Sequence, residues 1–239
     1  MLIRGARILL LLCWLIVLPA YAGEDVGEAE ALRRIEAAFR EGDDSLDLRD
    51  LGLGELPPEI GQLTALAWLD VSENQLDDLP PELWQLHNLT ELRLGHNQFS
   101  ELPPEIGQLT NLERLLLNDN LLHDLPPEIG ELLNLDILKL AGNQFSELPP
   151  EIGQLTNLTQ LITERNPLPD RYPFDLDELL AYLRGQIPDY DSEAEALRRI
   201  EAAAASGRTT LNLRRFGLQR LPPEIGQLTG LTSLDVAYN

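Results

Sequence analysis

The pair Pro-Pro recurs at residues 57, 80, 103, 126 and 149, each step being 23 residues, and returns once more at 222. No other feature of the chain constrains its fold as strongly. Aligned on these pairs, one copy reads Leu89-x-x-Leu92-x-Leu94-x-x-Asn97-x-Phe99-x-x-Leu102-Pro103. The next reads Leu112-x-x-Leu115-x-Leu117-x-x-Asn120-x-Leu122-x-x-Leu125-Pro126, and Leu66, Leu135 and Leu158 open the same pattern. A fixed period of this length makes each copy one structural unit. A single unit cannot bury its leucines alone, so the units must stack into a solenoid.

The spacing inside one unit predicts its parts. Leu92 and Leu94 alternate with Glu91, Arg93 and Gly95. That period of two is a short strand with one buried face. Asn97 falls where the chain turns away from the strand, and its amide can satisfy backbone groups that the turn leaves unpaired. Asn74, Asn97, Asn120, Asn143 and Asn166 should therefore form a ladder along the stack. Leu102-Pro103-Pro104-Glu105-Ile106 opens the return side. Proline suits a first helical turn, where its missing N–H is no loss, and the following Glu favours the positive helix end. The expected fold is an α/β solenoid: parallel strands on a concave face, single helical or 3₁₀ turns on the convex side, and helical caps.

Residues 28–40 (EAEALRRIEAAFR) form an amphipathic helix with Leu32, Ile35 and Phe39 on one face, suited to capping the first strand at Leu46 and Leu48. After Asn166 the pattern breaks, and Leu176, Leu179, Leu180 and Leu183 take helical spacing as a closing cap. Residues 193–203 then repeat residues 28–38 letter for letter, at an offset of 165 that also carries Pro57 to Pro222 and Asn74 to Asn239. The expected organisation is a first array over residues 28–184 with both caps, a linker over 185–192, and a second, incomplete array over 193–239. This reads as the front portion of a longer tandem-array protein or a truncated gene, the alternative being a short end that packs on the first array.

The amino terminus carries Arg4 and Arg7, then the apolar run Ile8–Leu18, then Ala20-Tyr21-Ala22. These three parts predict a signal peptide, residues 1–22, cleaved after Ala22. Eleven apolar residues fall short of the roughly 20 that span a bilayer. The product is expected to be exported, whether periplasmic, cell-surface or extracellular, with no membrane contact after cleavage. It would contain no cysteine, since Cys13 is the only one.

The motifs LPPEIGQLTNL, EALRRIEAA and NPLPDRYP…LLAYLR resemble bacterial leucine-rich-repeat proteins. They are similar to the repeat regions of Roco-type and plant intracellular Ras-group-related proteins. The resemblance implies a protein-recognition platform in the shape of a horseshoe. It stops short of the Roco nucleotide site: there is no Gly-x-x-x-x-Gly-Lys-Ser/Thr loop, and the sole lysine, Lys139, precedes Leu140. No nucleotide, cofactor or metal is expected. His87, His96 and His123 lack ligand spacing, no nucleophile elbow is present, and no catalytic residue is assigned. The net charge of −22 argues against nucleic acid as a partner.

The expected function is thus secreted, non-enzymatic recognition of a protein or peptide on the concave face. The alternative is a structural spacer or adhesion segment. Strand alternation directs four side chains per unit to that face. Among them Arg93, Arg114 and Lys139 outnumber Glu91 and Asp119 on the three middle strands, beside Leu116, Ile137 and Ile162. Apolar groups next to Arg match the make-up of interface hot spots. The candidate partner-binding residues are therefore Trp68, Arg93, His96, Arg114, Leu116, Ile137, Lys139 and Ile162, with Trp68 a candidate anchor at the acidic end.

Overall fold

The computed structural model describes residues 26–169, 176–185, 192–213, 218 and 220–236. The expected signal peptide lies outside them, as does Asn239.

Six short strands form one parallel sheet in chain order: β1 (Ser45–Asp47), β2 (Trp68–Asp70), β3 (Glu91–Arg93), β4 (Arg114–Leu116), β5 (Ile137–Lys139) and β6 (Gln160–Ile162). Each residue pairs with the one 23 positions later, as in Leu69↔Leu92 and Leu92↔Leu115. The central leucine of β1 to β5 is buried, and Leu161 of β6 packs against the same core. The return side of each unit is one 3₁₀ turn with proline at its start, such as Pro104–Gln108. Ile106 N–H donates to Pro103 O at 3.1 Å, and Leu109 N–H to Ile106 O at 3.1 Å. Both Ile106 and Leu109 are fully buried. The fold is the expected solenoid, with sheet and turns on opposite sides of one leucine core.

Two sets of asparagines hold the loops. In the expected ladder, Asn120 Nδ2 donates to Leu94 O and Leu117 O at 3.0 and 3.1 Å, while its Oδ1 accepts from Phe99 N–H at 3.1 Å. The second set was not anticipated. Asn88, Asn111, Asn134 and Asn157 each reach back 24 residues, to the carbonyls of Thr64, His87, Thr110 and Leu133, at 2.6–2.8 Å. These residues share a period of 23, which was the available signal.

Helix α1 (Val26–Glu41) covers β1, but with Ala31, Ile35 and Ala38, leaving Phe39 53% exposed. The expected stripe was wrong on this side because the small alanines let the helix axis approach the first unit. At the other end, α2 (Leu176–Arg184) buries Leu179, Leu180 and Leu183 against the 3₁₀ turn Pro150–Gln154. Gly153 makes this contact possible: a Cβ there would lie 2.4 Å from Arg184 N and 2.8 Å from Leu180 O.

Helix α3 (Ser192–Ser206), β7 (Thr210–Asn212) and β8 (Ser233–Asp235) form a second small core around Ala196, Ile200, Ala203 and Leu213. This unit packs on the flank of the first sheet's solenoid. Arg198 pairs with Glu131 at 3.1 Å, and Arg199 donates to Thr156 Oγ1 and to Gln154 O. Arg208 and Asn212 reach the amides of Asn134 and Asn157, each at 2.7 Å.

Candidate binding face

The parallel register lines up the outward positions of the six strands in rows. One row runs Ser45, Trp68, Glu91, Arg114, Ile137, Gln160, and the next runs Asp47, Asp70, Arg93, Leu116, Lys139, Ile162. Seven of the eight candidate residues lie in these two rows. The eighth, His96, lies on the turn after β3 and is exposed. The face carries three chemically different zones.

At the β1–β2 end acids dominate. Arg49 pairs with Glu73, and Asp70 Oδ1 accepts from the Ser72 hydroxyl at 2.5 Å.

The middle zone is an ionic cluster centred on Glu91, which is only 7% exposed. Arg93 Nε donates to Glu91 Oε1 at 2.5 Å, and Arg114 donates to Glu91 Oε2 at 3.1 Å. Arg93 also stands 3.7 Å from Asp70 and 5.2 Å over the Trp68 ring, a cation–π contact. Burial pushes the Glu91 carboxyl up, but hydrogen bonds from Arg93, Arg114 and Trp68 outweigh it and hold the carboxyl below the usual range. The cationic excess expected here is therefore absorbed. Arg93 and Arg114 are partly open to solvent, but their charge is tied to a buried carboxylate.

The third zone, on β4–β6, is apolar. Leu116, Ile137, Lys139 and Ile162 are each half-buried rather than fully exposed, since neighbouring rows shield them. Among the described residues, Lys139 has no carboxylate within ion-pair distance.

A rim of left-handed residues borders the rows. Asp50, Glu73, His96, Asp119 and Arg165 all have φ between 55° and 59°. Such a conformation costs an L-residue about 1 kcal/mol, so the repeat of the turn, and not each residue's preference, sets it. Gly142 takes the same place at φ 70°. Its missing side chain leaves room for Arg165 to bridge to Asp119 at 2.7 Å across the intervening unit. A Cβ on Gly142 would sit 2.4 Å from Asp119 Oδ1. The Arg165 hydrogen bond holds the Asp119 carboxyl low, and His96 stands 3.5 Å from it. Among the described residues no group of three or more His, Cys, Asp or Glu side chains gathers as a metal site. No helix among them is long and apolar enough to cross a membrane.

Residues 45–120 match the family model described as a leucine-rich repeat region, and residues 134–155 match that of the leucine-rich repeat itself. The repeats of this chain are leucine-rich repeats. Similar solved structures are plant receptors, two of them given as leucine-rich repeat ectodomains. One is the plant peptide hormone receptor RGFR1 in complex with RGF2 (30% identity over 80% of this chain and 24% of that one, TM-score 0.46). Another is the Arabidopsis thaliana receptor kinase GASSHO1/SCHENGEN3 with CASPARIAN STRIP INTEGRITY FACTOR 2 (31%, 78% and 20%, TM-score 0.47). A third is the receptor kinase SOBIR1 of the same plant (27%, 60% and 95%, TM-score 0.46). The chain spans about a quarter and a fifth of the length of the first two. No curated protein sequence matches the chain.

Proposed function

We propose that this leucine-rich repeat chain is an exported, non-catalytic module that recognises a protein or peptide on its concave face. The observation that carries this reading is the zone on β4–β6. Leu116, Ile137 and Ile162 remain partly open to solvent beside Lys139, although the same chain buries the inward leucine of each of these first five strands completely or nearly so. Partly open aliphatic groups on a rigid sheet lose little conformational freedom on binding, so the area they bury converts well into affinity.

The zone next to it is preorganised as well, because Glu91 fixes Arg93 over Trp68. Export rests on Arg4, Arg7, the apolar run and Ala20-Tyr21-Ala22. N-terminal sequencing of the exported product should begin at Gly23; an intact Met1 in the membrane fraction would overturn it.

The binding reading is tested by cross-linking the chain to surface or secreted proteins and repeating this with Leu116→Glu and Ile162→Glu. Capture should be lost with both variants at unchanged melting temperature. It should persist with Glu105→Ala and Glu128→Ala, on the convex turns. Equal loss from convex variants would move the site off the concave face, and capture indifferent to every substitution would favour the spacer reading.

A further inference from the structure

Resting on the concave-face reading, we infer that the β4–β6 zone takes a peptide segment in which a single carboxylate lies between two aliphatic side chains, the carboxylate seated on Lys139.

Most cations near this zone are already engaged. Arg93 and Arg114 are bound to Glu91, and Arg165 to Asp119. Lys139 alone on these middle strands has no acidic partner among the described residues. The register sets it between Leu116 and Ile162, its Cα partners on the flanking strands, at about 4.8 Å on each side. Ile137 lies two residues along the same strand, roughly 6.6 Å away on the same face. The Lys139 position is thus flanked by three aliphatic residues of the same face.

A ligand that lays aliphatic groups on Leu116 and Ile162 also strips water from Lys139. An unpaired ammonium resists that, because its lost hydration is not replaced. A carboxylate delivered between the two aliphatic groups replaces it. The cluster around Glu91 needs no such counter-ion, being neutralised from within. A tract of acids is disfavoured, since a chain of net charge −22 repels it at long range. The favoured ligand therefore carries one acid within an apolar setting.

The test uses the full chain with labelled Ile, Leu and Val methyl groups, titrated separately with hexanoate, hexanol and hexylammonium and followed by NMR. Hexanoate should shift the methyls of Leu116, Ile137 and Ile162 and saturate at about fivefold lower concentration than hexanol, the worth of one exposed ion pair. Hexylammonium should bind weakest. Lys139→Met, which keeps the aliphatic stem, should erase the preference for hexanoate, as should added salt. Hexanoate and hexanol binding equally at these methyls would overturn the carboxylate inference while leaving the apolar binding face standing. Shifts confined to Leu234 and Val236, with none at Leu116, Ile137 or Ile162, would remove both.

Discussion

Residues 57–72 and 222–237 are near copies, with PPEIGQLT in both and LDV twelve residues after the first proline, yet their side chains meet different fates. Leu69 and Val71 are fully buried, whereas Leu234 and Val236 are 37% and 38% exposed. Ile60 is buried where Ile225 is only half-buried. Around these shared residues the neighbour differs: β2 is covered by β3 and the turn Pro81–Gln85, while among the described residues no strand follows β8. Burial in a solenoid thus belongs to the contact between units and not to the unit.

The helices teach the same lesson in charge. In α1, Arg34 turns inward to Glu30 and Asp47 O, and hydrogen bonds from Arg33 and then Arg34 hold the Glu30 carboxyl down to about 2. In α3, the equivalent Arg198 and Arg199 turn outward to Glu131, Gln154 and Thr156 of the first array. One sequence serves as a self-contained cap in one setting and as a docking surface in the other.

Truncation at matched positions should separate the two regions most. Leu69→Ala should cost about 2–5 kcal/mol, as for a filled core site. Leu234→Ala should cost under about 1 kcal/mol, since it removes little buried area. Denaturant unfolding followed by the fluorescence of Trp68 and Trp84 reads the first array, and far-UV dichroism reads the whole chain. Equal losses would mean that the second array is covered in solution.

Gly153→Ala and Gly226→Ala form the next pair. The first drives a Cβ into the α2 backbone and should cost about 3 kcal/mol. The second meets nothing within 4 Å and should stay within about 0.5 kcal/mol. Thermal unfolding of both variants decides it, and a neutral Gly153→Ala would mean that α2 is not seated on that turn.

The two asparagine sets give a smaller contrast inside the first array. Asn120→Ala strips partners from buried carbonyls and from Phe99 N–H, at about 2 kcal/mol. Asn88→Ala removes one exposed bond to Thr64 O and should cost about 0.5 kcal/mol. Similar losses in urea unfolding would show that the outer set carries as much of the fold as the inner one.

What could be read in the sequence follows from the same comparison. Strand register, the 3₁₀ turns and the inner ladder were legible because every unit meets a copy of itself, so the local pattern already contains its tertiary neighbour. Phe39 departs from its expected burial because α1 meets a strand instead of another copy. Its twin position in α3 is Ala204, a hint that this side does not fill the core. The rows holding Trp68, Arg93 and Lys139 were legible from alternation, while the capture of Arg93 and Arg114 by Glu91 was not. Summed charge cannot tell which cation a buried carboxylate will hold. The docking of α3 depends on Glu131 and Thr156, which stand 67 and 43 residues from their partners and share no period with them.

The smallest expected effect isolates that ionic cluster, centred on Glu91 of β3. The Glu91 carboxyl is held below its ordinary value of 4.5 in the folded state. A lowered folded value means that Glu91 stabilises the fold fully above the unfolded value near 4.5, and that this contribution is lost as pH falls through the lower folded value. Both arginines are substantially open to solvent, so screening limits the gain to about 1 kcal/mol. Glu91→Gln should therefore unfold about 1 kcal/mol more easily than the parent at neutral pH, and the two stability curves should converge in acid. Leu234→Ala should show no such convergence, because an apolar truncation does not titrate. Parallel curves for Glu91→Gln and its parent down to acid pH would mean that Arg93 and Arg114 stand free on the concave face. Their charge would then be available to a partner, and the division of the face into a neutral middle and a single open lysine would fail.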